Sequence, residues 1–176
     1  MIIVDLNQTM LSNLMVQLGN HTNASVEEGM VRHMVLNAIR SYKQKFGGEY
    51  GELVIACDNT NYWRKQIFPY YKANRKKNIE KSELNWKDIF ECMNKIRAEL
   101  KEFFPYKVID VETAEADDVI ATLCEEFGTT PGMINIGKIL ILSGDKDFIQ
   151  LHRYTNVSQY DPVRRSEEHT SELQSH

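Results

Sequence analysis

The stretch YKVIDVETAEADDVIATLCEEF, Tyr106 to Phe127, carries the reading on which the fold depends. Its first part, Tyr106 to Val111, predicts a strand, and Thr113 predicts an N-cap for a helix from Ala114 to about Phe127. A strand that runs at once into a helix is the unit from which parallel sheets are built. Glu115, Asp117 and Asp118 crowd the start of that helix. The helix dipole favours acids there by only ~0.3–1 kcal/mol. Three together repel, so the crowding calls for a counter-charge.

The same unit recurs outward in both directions. Ile2 to Asp5 predicts a strand closing on an acid, followed by helix-like spacing from Asn7 to Leu18. Ser25 and Glu28 have the form of a capping box, opening a helix that should stop at Gly47 and Gly48. Leu53 to Cys57 predicts a second strand before Asp58, and Trp86 to Phe104 a helix with Ile89, Met93, Ile96 and Leu100 on one stripe. After the loop GTTPGMINIG, Lys138 to Leu142 predicts a fourth strand ahead of Ser143-Gly144-Asp145. A short helix over Phe148 to Leu151 and an edge strand near Val157 to Tyr160 follow. Strands separated by helices imply an α/β fold of three layers, α/β/α, around a mostly parallel sheet.

In such a sheet, sites form beyond the carboxyl ends of the strands. Asp5, Asp58 and Asp145 stand at three such ends, Asp147 follows closely, and Glu115, Asp117 and Asp118 open a helix. One acid after a strand is usually a turn residue. All seven on one rim point instead to a bound divalent cation. Oxygen ligands without nearby Cys or His pairs suit Mg²⁺ or Mn²⁺ rather than zinc.

Between the second strand and the long helix lies NYWRKQIFPYYKANRKKNIEKSELNW, read as irregular or weakly helical. Arg64 to Lys81 holds seven Lys or Arg and one Glu, although the chain of 176 residues has a net charge of −4. Arg64, Lys65, Lys72, Arg75, Lys76 and Lys77 can track phosphates, while Tyr62, Trp63, Tyr70 and Tyr71 offer faces for unpaired bases. A basic run is more often solvated surface, and Trp63 or Phe68 could be core. The neighbouring acids favour the nucleic-acid reading.

With 42% hydrophobic residues the chain suits one domain. No apolar run of membrane length and no signal peptide stands in the text, which implies a cytoplasmic protein with no membrane partner. Cys57, Cys92 and Cys124 are far apart and read as buried free thiols. From Arg165 the sequence RSEEHTSELQSH resembles a translated sequencing adapter, so residues 165–176 are set apart from fold reasoning.

The segments VDLNQT, VRHMVLNAIRS, CDNTNYWRK, FPYYKANR, EADD and SGDKDFIQLHRYTNV resemble the 5′-nuclease family. That family includes flap endonucleases, the 5′-nuclease domain of bacterial DNA polymerase I, and the ribonucleases H of T-even bacteriophages, which the chain most resembles. EADD with SGDKDF at this separation is specific; VDLNQT alone is weak. The resemblance implies a PIN-like, resolvase-like catalytic domain over residues 1–164 and two dications in the full-length protein. Asp5, Asp58, Glu115, Asp117 and Asp118 would surround the first ion, with Asp145 and Asp147 towards the second. It implies that Lys72 and Arg75 contact the scissile phosphate, that Tyr71 stacks on a terminal base, and that residues 72–86 form an arch passing a 5′ single strand. Arg64, Lys65, Lys76 and Lys77 would bind nucleic acid. The implied substrates are DNA and RNA–DNA hybrid, the implied partners replication proteins such as a single-strand-binding protein or sliding clamp, and the implied state a monomer. The family's helix-three-turn-helix region would follow where this text stops.

Two rivals stand beside the nuclease. One is a nucleic-acid-binding module without useful turnover. The other is a metal-dependent phosphatase using Asp5 as nucleophile, disfavoured because Asn7 occupies the place of the second acid in a DxD.

Overall fold

The structure, a computed structural model, describes residues 1–18, 26–82, 84–134, 137–164 and 166–168. In chain order the elements begin β1 (Ile2–Asp5), α1 (Leu6–Leu18), α2 (Glu28–Tyr50) and β2 (Leu53–Ala56). Next come α3 (Trp63–Ile67), α4 (Ala73–Lys81), α5 (Trp86–Phe103), β3 (Lys107–Ile109) and α6 (Ala116–Phe127). They close with β4 (Ile139–Leu142), a 3-10 helix (Lys146–Arg153), β5 (Val157–Asp161) and β6 (Ser166–Glu168).

The sheet order is β3-β2-β1-β4-β5-β6, parallel from β3 to β5, with β6 antiparallel. The strands form because short β-branched runs are buried on both faces, and their period of two divides the core. Ile2, Val4, Leu53, Ile55, Leu140 and Leu142 face one cluster with residues of α1, α2 and α5. Ile3, Ala56, Ile139, Ile141 and Val157 face the other, with residues of α6 and the 3-10 helix. That is the expected three-layer α/β/α architecture. Among the described residues no helix is long and apolar enough to cross a membrane, and all three cysteines are buried and free.

Several local expectations need correction. Helix α2 runs through Gly47 and Gly48 and ends at Gly51, whose φ of 82° is left-handed and whose N–H caps the Gly47 carbonyl. Each glycine weakens a helix by ~1 kcal/mol relative to alanine. Burial of Phe46, edge-to-face with Tyr160 at 5.1 Å, carries the helix past them. The expected capping residue Ser25 lies outside the described residues, and α2 is preceded by Glu27.

Thr113 is not the N-cap of α6. It adopts φ 66°, strained for a β-branched residue, and Glu115 takes the cap position. Backbone bonds hold the strained turn, with Trp63 N–H donating to the Thr113 carbonyl at 2.8 Å and Asn59 N–H to that of Ala114 at 2.9 Å. The basic stretch is more ordered than its text suggests. It forms α3 and α4, which bury no residue of their own and so carry no apolar stripe to reveal them. Trp63 and Phe68 are exposed, not core. β5 is the last of the parallel strands, at the edge as expected, and beyond it only the three residues of β6, from the adapter-like stretch, pair antiparallel. The remainder of 165–176 lies outside the described residues.

Candidate active site

β1 lies between β2 and β4, where the chain's winding reverses direction, so the carboxyl ends of these three strands border one crevice. Asp5 ends β1, Asp58 follows β2 by two residues, and Asp145 follows β4 by three. The start of α6 reaches the same place: the Ala116 N–H donates to Asp58 Oδ1 at 2.7 Å. Asn7 Nδ2 donates to Asp58 Oδ2 at 2.6 Å. Asp5 accepts the Gln8 N–H at 3.2 Å and the Ser143 hydroxyl at 3.1 Å. Asp145 caps the 3-10 helix by accepting the Asp147 N–H at 2.9 Å.

Some supporting residues are absent from the sequence reading. Gln159, buried in β5, donates to the carbonyls of Ser143 and Asp145, both at 2.7 Å. Gln8 Oε1 accepts the Gly144 N–H at 2.6 Å. The only textual signal for Gln159 is a polar residue at an inward strand position. A Cβ at Gly144 would sit 2.8 Å from Asp161 Oδ2, so a larger residue there would displace that carboxylate.

The crowding at α6 is relieved by side chains of the basic stretch, a counter-charge beyond the metal that the sequence led one to expect. Glu115, 1% exposed, accepts Arg64 Nη1 and the Tyr71 hydroxyl at 2.9 Å each, and Lys72 Nζ at 2.5 Å. Arg64 also forks onto Asp118, Nη2 to Oδ1 at 2.7 Å and Nη1 to Oδ2 at 2.8 Å. Trp63 Nε1 donates to Asp118 at 3.2 Å, and Asp118 accepts the Glu115 N–H at 2.9 Å. Burial pushes the Asp118 carboxyl up, but the Arg64 and backbone bonds outweigh it and hold it below the usual range.

Among the described residues, Asp5, Asp58, Asp117 and Asp145 accept no hydrogen bond from a cationic side chain. Burial, then the charges of Asp58 and Asp117, raise Asp5 to about 7 against the bonds from Gln8 and Ser143. Burial raises Asp117 to about 6, with Asp58, Asp145 and Glu115 adding to it and Lys72 opposing. Asp5, Asp58, Asp117 and Asp145 thus act on one another, Glu115 and Asp118 are held by cationic side chains, and Asp147 is exposed. Among the described residues, no three acid, His or Cys side chains stand at coordinating distances as placed.

Lys72 begins α4 in a left-handed conformation, φ 57°. Arg75, Lys76 and Lys77 are exposed on α4 and form no ion pair among the described residues. Lys65 is exposed, its ammonium 4.5 Å from the Tyr62 ring centroid. Tyr71 is half-buried against Arg64 and Lys72, and Tyr70 is 74% exposed.

The Asp5 shift carries a stability consequence. An unfolded aspartate titrates near 3.9, so the folded chain holds the extra proton between about pH 4 and 7. The stabilisation from this group is full below pH 4 and is lost as pH rises through 7. Asp5→Asn should therefore stabilise the chain at pH 8 in EDTA by roughly 2 kcal/mol, about 4 °C or more in Tm. The gain should vanish at pH 4. A lower Tm for the variant at pH 8 would refute this account of Asp5.

Residues 4–175 match the family described as 5′-3′ exonuclease, N-terminal resolvase-like domain. Ribonuclease H of Enterobacteria phage T4 is 38% identical over 166 residues, 93% of this chain and 52% of that protein. The flap endonuclease Xni of Shewanella woodyi is 36% identical over 99 residues, 56% of this chain and 33% of its own. A bacteriophage T5 flap endonuclease in complex with DNA and metal ions superposes with a TM-score of 0.72 at 20% identity, over 98% of this chain and 58% of that one. The T5 5′-exonuclease with bound zinc gives 0.67 at 20% identity, over 100% of this chain and 60% of its own. The chain spans about half the length of the phage T4 protein and less of the Xni protein.

Proposed function

This chain belongs to the 5′-3′ exonuclease family, as its N-terminal resolvase-like domain, and from that premise we propose that it is the catalytic part of a metal-dependent 5′-to-3′ nuclease. The reaction is of the ribonuclease H or flap endonuclease type, hydrolysing phosphodiesters of RNA primers or DNA 5′ ends. The observation that carries the reading is the convergence of Asp5, Asp58, Asp117 and Asp145, from four separate segments, on one crevice, near enough for their charges to help push two of them to about 7 and about 6. Hydrogen bonds from neutral groups do not cancel that charge.

The donor set fits hard dications: all oxygen, anionic and partly desolvated. Asp5, Asp58, Asp117 and Asp145 would hold them, with Glu115, Asp118 and Asp147 completing the set. Mg²⁺ is the expected ion, with Mn²⁺ a substitute, and two are expected in the full-length protein. When bound, the ions supply Lewis acidity to the phosphoryl group.

The chain's own cations do the rest. Lys72 and Arg75 place positive charge where the pentavalent phosphorus gathers negative charge. Arg64, Lys65, Lys76 and Lys77 hold the flanking phosphates, and α4 with its flanks, about residues 72–86, borders the passing 5′ strand. Water attacks phosphorus in line and the 3′ oxygen leaves, giving 5′-phosphate products. A binding module with weak turnover is the second reading, favoured by the hold of Arg64 and Lys72 on Glu115.

Incubating a labelled 5′-flap and an RNA–DNA hybrid with Mg²⁺ tests the proposal, using the wild type, Asp117→Asn and Asp145→Asn. Metal-dependent cleavage lost in both variants supports the nuclease. Tight binding without cleavage favours the module, and hydrolysis of small phosphate esters alone would favour a phosphatase.

A further inference from the structure

Beside Asp58, on the side facing α5, opens a cleft of about 300 Å³ that the proposed metal and phosphate contacts leave unused. Its walls include Phe90, Met93, Asn94 and Arg97 from α5, and Asn7 and Tyr62 from the loop and helix ends opposite. Phe90 is 43% exposed and lies off the buried stripe of Ile89, Cys92, Met93, Ile96 and Leu100 on the same helix. Its ring lies 5.6 Å from that of Trp86, tilted by 37°, so one aromatic face is backed. Asn94 is exposed on the same wall. Asn7 is tied to the Asp58 carboxylate, and Arg97 Nη1 donates to the Asp58 carbonyl at 2.8 Å. The floor is therefore continuous with the acid cluster and fixed in place by it.

We propose that this cleft receives an unpaired nucleobase of the strand whose phosphodiester lies over the acids. The proposal rests on the nuclease reading and adds a base-holding subsite to it. An aromatic face with carboxamides at its edge fits a planar heterocycle that stacks on one side and hydrogen-bonds around its rim. A phosphate does not suit it, because the nearby Asp58 is anionic and Arg97 is already committed to a carbonyl. An apolar peptide side chain would leave the Asn94 amide and the Asn7 carbonyl oxygen unmatched. Phe90 here is a positioning residue: stacking fixes the nucleotide and thereby the bond presented to the acids.

The test is binding of a fluorescent 5′-flap oligonucleotide in EDTA, compared with a set in which single abasic sites step across the junction. The wild type should bind the intact oligomer about tenfold more tightly than one abasic member of the set, as expected for one lost stacking contact. Phe90→Ala should erase that ratio by weakening only the intact oligomer, and Phe90→Tyr should restore it. A flat abasic scan, a ratio unchanged in Phe90→Ala, or no binding of any oligomer would overturn the proposal. Cleavage in Mg²⁺ is read separately. Absence of cleavage with the ratio intact would defeat the nuclease reading and leave the base cleft standing.

Discussion

Replacing Asp117 with Asn should lower Mg²⁺-dependent cleavage of a 5′-flap at least about a hundredfold while leaving the thermal midpoint unchanged or raised. Among the described residues Asp117 makes no hydrogen bond to a cationic side chain, and burial raises it to about 6. Its charge is therefore a cost to the folded chain, so losing it should not lower stability. Residues that merely support metal ligands are worth about 10–100-fold in affinity or activity, and a ligand itself should be worth no less. The same shifts predict the pH course. Asp117 and Asp5 must shed protons near pH 6 and 7 before the cluster is fully anionic, so Mn²⁺ affinity should climb between pH 5.5 and 8. Steady-state cleavage and calorimetric titration at both pH values measure the two effects. Wild-type turnover in the variant would remove Asp117 from the site.

The second large effect concerns folding. Arg64→Met together with Lys72→Met should destabilise the chain by roughly 3–5 kcal/mol, the range for a buried charge deprived of its partners. Glu115 is 1% exposed, and after the change its carboxylate would keep the Tyr71 hydroxyl and the Asp118 N–H as donors but no cation among the described residues. Adding Glu115→Gln should return much of the loss, since the amide needs no counter-charge. Urea denaturation of the three proteins at pH 8 checks this. A loss below about 1 kcal/mol in the double variant, or no rescue by the glutamine, would show that Glu115 does not depend on those cations.

Much of the fold was legible because its signals are local. Ile2 to Asp5, Leu53 to Ala56 and Ile139 to Leu142 announce themselves as short apolar runs, and α5 as a stripe of Ile89, Met93, Ile96 and Leu100. The acids at strand ends were legible for the same reason, since parallel topology brings those ends to one rim. The partners of the acids were not. Arg64 and Asp118 are 54 residues apart in sequence, and nothing in WRKQ or EADD names the other as its counter-ion. Gly47 and Gly48 misled because burial of Phe46 outweighs two weak helix formers. Thr113 misled because a capping residue type sits in a strained turn held by bonds from Trp63 and Asn59 on either side. In each case a contact distant in sequence overrode a local preference.

That override also shapes the site. Lys72 and Arg64 lie on Glu115, the same acid proposed to help hold the ions, so on that proposal loading the cluster would also free those cations for phosphate. Soaking crystals of the protein in Mn²⁺ and recording anomalous diffraction at the manganese edge tests the arrangement most directly. The account predicts a peak enclosed by Asp5, Asp58, Asp117 and Asp145; a peak elsewhere on the molecule, with none among these four, would contradict it.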